Sequence, residues 1–182
     1  MLTTQSDLPY ASPLADGPVG PETMRLTDGS GRRLLDARGR DRPAVLHDGA
    51  APEAVGEVVR VENGTWARLR ADRWFYVADR AGVSVELSGE PNLTDVTHAY
   101  GILSLRGARA PDVLASLCAL DFDDRAFPDC RAAQTSLAKV PALIVRLDDE
   151  ARGYLILVER SVAVYVWAVI ADTIRSAAAV AP

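Results

Sequence analysis

Residues 94–171 limit the possible folds more tightly than any other stretch, because apolar periodicity, turn residues and helix signals agree along their whole length. The stretch opens T-D-V-T-H-A-Y-G-I-L-S-L-R-G, where residues 102–105 form a short apolar-rich run ending at Arg106 and Gly107, as a strand does before a turn. In A-R-A-P-D-V-L-A-S-L-C-A-L-D-F, Pro111 stands near the first helical position. Val113, Leu114, Leu117 and Cys118 follow at helical spacing, which predicts an amphipathic helix. After the loop D-D-R-A-F-P-D-C come two strand-like runs, Q-T-S-L-A-K-V-P-A-L-I-V-R-L and G-Y-L-I-L-V-E. The charged D-D-E-A-R divides them at a spacing that fits a hairpin.

The last segment, R-S-V-A-V-Y-V-W-A-V-I-A-D-T-I-R, sets two rules against each other. Val162, Val164, Val166 and Val169 are β-branched and taken alone favour a strand. Ser161 as an N-cap, apolar positions at 166, 170 and 174, and a length beyond that of an ordinary strand predict a helix. Its ten apolar residues, 162–171, are expected to be buried almost all round.

The preceding sequence is richer in strands. In V-V-R-V-E-N-G-T-W-A-R-L-R an Asn-Gly pair between two alternating runs predicts a hairpin with a type I′ turn, Val59 and Val61 sharing a face with Trp66. Arg73 to Val77 adds a strand, and Val83, Val85 and Leu87 alternate in another. From Met24, three short strands are predicted, separated by turns at residues 28–31 and 38–41; His47-Asp48-Gly49 is a further turn and residues 51–55 a single helical turn. Gly29 and Gly31 are turn formers, with neither the third glycine nor the lysine of a phosphate loop. Residues 1–23 carry Pro9, Pro13, Pro18 and Pro21 with little to bury. They read as a flexible tail, or as an extended arm laid across a neighbouring subunit by Leu8, Tyr10 and Leu14. The chain therefore divides into an arm (1–23), a strand-rich first half (24–91) and a second half ordered strand, helix, strands, helix (92–182). The two halves form one compact α+β domain.

Charge narrows the classes of partner. With 25 acidic residues against 20 basic ones and a net charge of −5, no global field attracts a polyanion, and nucleic acid is not an expected partner. All basic residues but Lys139 are arginine, which reads as coding bias rather than a binding surface. Cys118 and Cys130 imply no disulfide framework. No export signal is legible and the longest apolar run is too short for a bilayer, so a cytoplasmic protein without a membrane partner is expected.

The combination D-V-T-H, L-x-L-x-G, a helix carrying Leu114 with Asp121 after it, F-P, Gln134-Thr135 and V-E-R-S-V-A-x-Y-x-W resembles the gamma subunit of heterotetrameric sarcosine oxidase. The resemblance covers the C-terminal half well and W-A-R-L-R-A-D-R-W-F-Y-V more weakly. That family is similar to the folate-binding domain of aminomethyltransferases of the glycine cleavage type. The resemblance thus implies a folate-binding-domain-like α+β fold of two halves that exchange strands, here with the first half reduced. It implies a non-catalytic subunit packed on the folate-binding domain of the large, alpha-type subunit of a flavoprotein oxidase complex. Sarcosine or a related secondary amine is demethylated there. FAD, FMN and tetrahydrofolate are implied on the partner subunits, and none is expected on this chain. A stand-alone folate-binding, one-carbon-transferring protein is the alternative, with Asp95, Gln134 and Arg160 around a pterin; a homo-oligomer of the isolated chain is a third reading.

Few residues have the character of chemistry. His47 and His98 lack the neighbours of a zinc site. Asp95 and His98 could meet as an acid and base, but D-x-T at a strand entrance more often caps its own backbone. Gln134 and Thr135 could hydrogen-bond a ligand and Arg160 a carboxylate, although a strand edge and an ion pair with Asp121, Asp123 or Asp124 are the plainer readings. Neither cysteine has the cationic surroundings of a nucleophile, and F-P-D-C-R-A-A-Q-T-S departs from the K-G-C-Y-x-G-Q-E of the iron–sulfur-linked relatives. Tyr165 and Trp167 fall on different helix faces, so at least one is free to meet another chain; with Tyr10 they are the interface candidates.

Overall fold

The computed structural model of the chain describes residues 11–14, 17–39, 51–83 and 92–179. Among these residues ten strands and two α-helices are ordered as β1 (Arg25–Asp28), β2 (Arg32–Arg38), β3 (Val58–Val61), β4 (Gly64–Arg70), β5 (Arg73–Ala81), β6 (Leu93–Asp95), β7 (Tyr100–Arg106), α1 (Ala110–Ala115), β8 (Arg131–Leu137), β9 (Val140–Arg146), β10 (Gly153–Glu159) and α2 (Ala163–Ala179). They build two antiparallel five-stranded sheets, ordered β3-β4-β5-β2-β6 and β1-β7-β10-β9-β8. The α+β, folate-binding-like class expected from the sequence is the one observed. Among the described residues the first half carries no α-helix.

Strand exchange ties the halves together. β1 precedes β2 in sequence but pairs with β7 in the second sheet, while β6 immediately precedes β7 yet pairs with β2 in the first. The sheets are also stitched side by side: Val58 N–H donates to the Cys130 carbonyl at 3.0 Å and Ala132 N–H to the Gly56 carbonyl at 2.8 Å.

Three apolar clusters follow from the two-residue alternation of the strands. Leu103, Leu105, Ile144, Tyr154, Ile156 and Val158 face the helices. Ile102, Leu143, Val145, Leu155 and Leu157 face the first sheet, where Leu34, Val58, Ala67, Leu69, Phe75 and Val77 meet them. Trp66, Trp74 and Tyr76 lie on the outer side of the first sheet with Leu35 and Ala37. The second sheet is covered on both faces, which is why A-L-I-V and Y-L-I-L-V are continuous apolar runs rather than alternating ones.

Several local expectations are corrected. The run from Gln134 to Leu147 is not one strand: β8 and β9 are joined by Ala138 and Lys139, with φ of 48° and 69°, so the hairpin turns on two left-handed residues that no Gly or Asn announces. The earlier hairpin turns on Glu62-Asn63, and of these only Asn63 has positive φ, so it is not the type I′ turn on Asn63-Gly64. Gly64 already stands in the ladder opposite Val61, where a Cβ would lie 2.4 Å from the Tyr76 ring. Residues 51–55 form no helical turn; the Glu57 carboxylate instead accepts the N–H groups of Glu53 and Ala54, at 2.6 and 2.9 Å, and closes a loop. The strand predicted at 83–87 and the third strand and turn predicted within 41–49 lie outside the described residues, apart from Val83, which is in no strand.

At the N-terminal end, residues 11–14 and 17–24 lie on this chain's own second half. Leu14 and Met24 are buried in the helix-side core, Val19 and Leu26 exchange backbone hydrogen bonds of 2.9 and 2.8 Å, and Arg160 donates to the Ala11 carbonyl. Leu14 therefore packs at home rather than on a neighbour; Leu8 and Tyr10 lie outside the described residues.

α1 is shorter than its pattern, ending at Ala115, with Leu117 and Cys118 packed against the core from the turn that follows. α2 is helical as expected. Its start is a 3₁₀ turn, Arg160–Val162, that contains Ser161, and no side chain caps it. Burial is one-sided: Ala163, Val166, Trp167, Ile170 and Ile174 pack on the sheet, whereas Val164 and Tyr165 are 59% and 49% exposed. Gly101 lets α2 come close, since a Cβ there would lie 2.6 Å from that of Ala163. By length and composition the helical stretch Arg160–Ala179 is apolar enough to cross a membrane, more than the ten-residue run indicated, but its buried stripe packs it as a core helix.

Candidate functional site

Asp95 ends β6, and its carboxylate is engaged. One oxygen accepts the Thr97 N–H at 2.9 Å and the other pairs with Arg33 at 3.2 Å, while the Thr97 hydroxyl accepts the Leu34 N–H at 3.0 Å. The D-x-T sequence therefore caps its own turn and ties it to β2, the structural alternative to an acid–base pair. Asp95 and His98 line a hollow of about 290 Å³ with Val96 and Ala99. Ala99 also belongs to an open groove of about 610 Å³, lined further by Pro13, Tyr100, Glu159, Arg160 and Ser161. Asp95 and Arg160 thus border neighbouring concavities, which Gln134 does not line. Gln134 is exposed in the middle of the edge strand β8, opposite Leu143. The three residues expected around a pterin are not gathered around one pocket.

The ion pair expected between Arg160 and the acidic loop is replaced by another. Asp121 and Asp123 accept backbone N–H groups two residues ahead, each at 2.9 Å, and Asp124 takes Arg146 and Arg152, both at 2.7 Å. Arg146 is the centre of this network. Its side chain is 5% exposed and also binds Asp148 at 2.6 Å and the Phe127 carbonyl at 2.6 Å, clamping the loop after α1 onto β9. The hydrogen bonds it donates to Asp148 and Asp124 hold the Arg146 guanidinium above its ordinary value against the effect of burial. Reciprocally, the Arg146 hydrogen bond, with Arg152 beside it, holds the Asp124 carboxyl below the usual carboxylate range.

Both cysteines are free thiols. Burial pushes the Cys130 thiol up, and Asp129 beside it adds to this against the opposing pull of Arg60, which is the reverse of nucleophile activation. Among the described residues no group of three or more His, Cys, Asp or Glu side chains could hold a metal ion. Trp167, an interface candidate, is 4% exposed in this chain's own core, whereas Tyr165 faces outward with its hydroxyl donating to the Ala138 carbonyl at 3.1 Å.

The sequence reading missed a polar cleft of about 180 Å³ between the sheets, where Arg32, Arg60 and Arg106 converge with Asp79, Asp149 and the buried residue Ser104. These residues come from β2, β3, β5, β7 and the loop before β10, so no spacing in the sequence links them.

The architecture is that of a two-sheet, folate-binding-like α+β protein. The structure matches a chain of the heterotetrameric sarcosine oxidase from Corynebacterium sp. U-96 in complex with pyrrole 2-carboxylate with a TM-score of 0.74 over 87% of this chain and 88% of that one, at 24% identity. In sequence the chain is similar to sarcosine oxidase subunit gamma of an Arthrobacter species, 35% identical over 108 residues, or 54% of this chain and 52% of that protein. The sequence comparison bears out the resemblance to that subunit, and the structural one bears out the fold that it implies. The chain spans about half the length of the curated relative it matches. No protein-family model matches.

Proposed function

We propose that the chain is a non-catalytic gamma subunit of a cytoplasmic sarcosine-oxidase-type complex that oxidatively demethylates sarcosine or a related secondary amine. The observation that carries this reading is the fold match along nearly the full length of both chains. In this reading FAD, FMN and tetrahydrofolate are held by the partner subunits, and this chain packs on the folate-binding domain of the large one. The outward face of α2 is its docking surface: Val164 and Tyr165 are the large apolar side chains left exposed on a helix whose other face completes the core. Tyr165 is held against the β8–β9 turn by its hydroxyl, so little side-chain entropy remains to be lost on association.

Pull-down of the tagged chain from its host, with an absorbance scan, tests the assignment. Recovery of a large subunit carrying flavin is expected. Tyr165→Ala should weaken the association by about 2 kcal/mol, roughly thirtyfold, as for a central aromatic anchor, while leaving the circular dichroism of the chain unchanged. Recovery without any flavoprotein, or saturable heat on titrating the isolated chain with tetrahydrofolate, would refute it, the latter in favour of a stand-alone folate binder.

A further inference from the structure

In the cleft between the sheets three guanidiniums meet two carboxylates, and among the described residues the ion pairs formed there leave Arg32 without a carboxylate partner. Asp149 is shared, one oxygen pairing with Arg106 at 2.9 Å and the other with Arg60 at 3.3 Å. Arg60 is further occupied by Asp129 at 3.3 Å and by the Asp148 carbonyl at 2.6 Å. Arg32, at the start of β2, has no carboxylate within 4.0 Å among the described residues. Its side chain donates a long hydrogen bond of 3.4 Å to the Ala78 carbonyl. Burial, and next the like charge of Arg106, hold its guanidinium below the ordinary arginine value despite the more distant Asp79 and Asp149. A guanidinium that is partly desolvated, faces a second guanidinium and has no carboxylate within ion-pair distance is the arrangement an incoming oxyanion stabilises. The planar fork suits carboxylate or phosphate oxygens, and charge-assisted hydrogen bonds there are about twice as strong as neutral ones.

We propose that this cleft binds a small oxyanion, the carboxylate or phosphate group of a ligand, with Arg32 as its principal donor and Arg106 flanking it. Ser104, on the same strand as Arg106 and lining the cleft, offers a hydroxyl to one further oxygen where the group is a phosphate. Size limits the ligand. At about 30 Å³ per water, 180 Å³ holds a carboxylate or phosphate with a few waters, but it falls short of the roughly 300 Å³ at which pockets for larger organic ligands begin. The site is separate from the outer face of α2 and does not depend on the docking reading.

The test is titration of the full chain with inorganic phosphate and, separately, with acetate, at ionic strength held constant with sodium chloride, following the thermal midpoint and backbone amide shifts. A saturable rise in midpoint is expected with at least one of them, with shifts confined to β2, β7 and the loop before β10. The anion that saturates identifies the group. Arg32→Gln should weaken binding at least tenfold and, with no anion present, raise the midpoint, because it removes the repulsion with Arg106. Arg32→Lys should retain part of the binding, and Arg25→Gln, outside the cleft, all of it. If Arg32→Gln does not fold, Arg106→Gln serves in its place and should weaken binding likewise. No saturation with either anion, or unchanged binding in the cleft variant that folds, overturns the proposal.

Discussion

Replacing Phe75 with alanine probes how far the two halves depend on each other. Phe75 is 1% exposed on the inward face of β5, in the cluster that joins Leu34, Val58 and Val77 of the first sheet to Ile102, Val145 and Leu157 of the second. Its ring meets that of Tyr100 edge-on, with centroids 5.6 Å apart and planes at 79°, and the Arg73 guanidinium lies 5.9 Å from its centre. Truncation of a buried phenylalanine costs about 3–5 kcal/mol. The edge-to-face pair contributes about 0.5–1.5 kcal/mol of that. For a chain of this size each kcal/mol lowers the thermal midpoint by roughly 2–4 °C, so a loss on the order of 10 °C is expected. Because β1 and β6 are exchanged between the sheets, neither sheet is complete without the other half, and the whole loss should fall on a single transition. Urea unfolding would be followed by far-UV circular dichroism and by tryptophan fluorescence in a Trp167→Phe background, where Trp66 and Trp74 report on the first sheet alone. Coincident midpoints are expected, lowered together. Two separate transitions, or a loss under about 1 kcal/mol, would refute the coupling.

The remaining predictions concern charge and turn geometry. Asp124 is held low mainly by Arg146. At Asp129, burial pushes the carboxyl up but is outweighed by the N–H groups of Asp148 and Cys130 and by Arg60. Their contribution to stability is therefore complete above about pH 4, the unfolded aspartate value, and is lost as pH falls through the lower folded values. The urea midpoint should decline below about pH 4, less steeply in Asp124→Asn; an unchanged acid slope in that variant contradicts the assignment. Replacing Ala138-Lys139 by Asn-Gly supplies residues suited to φ of 48° and 69° and should raise stability by about 1 kcal/mol in thermal or urea unfolding. A loss there would mean that the turn is not left-handed at both positions.

Much of the fold could be read locally. The strand and helix start of β7 and α1, the hairpin of β3 and β4, and the helical state of α2 all depend on neighbours within a few positions, where apolar period and turn residues act directly. α2 shows how two local rules are arbitrated: four valines favoured extension, yet the spacing of Val166, Ile170 and Ile174 prevailed because that stripe completes a core. The hairpin at Ala138-Lys139 was invisible because nothing in either residue favours positive φ. The conformation is imposed by the register of β8 on β9 and supported from outside by the Tyr165 hydroxyl.

The amino-acid order by itself determined the α+β class, the strand-rich first half and the apolar helix at the end, since each rests on periodicity that a short segment carries within itself. Tertiary structure alone decided which sheet β1 and β6 join, that Trp167 rather than Tyr165 is buried, and that Arg32, Arg60 and Arg106 share one cleft. Those outcomes depend on pairing between segments tens of residues apart. The energy of such pairing comes from surfaces that meet only once the whole chain has closed on itself.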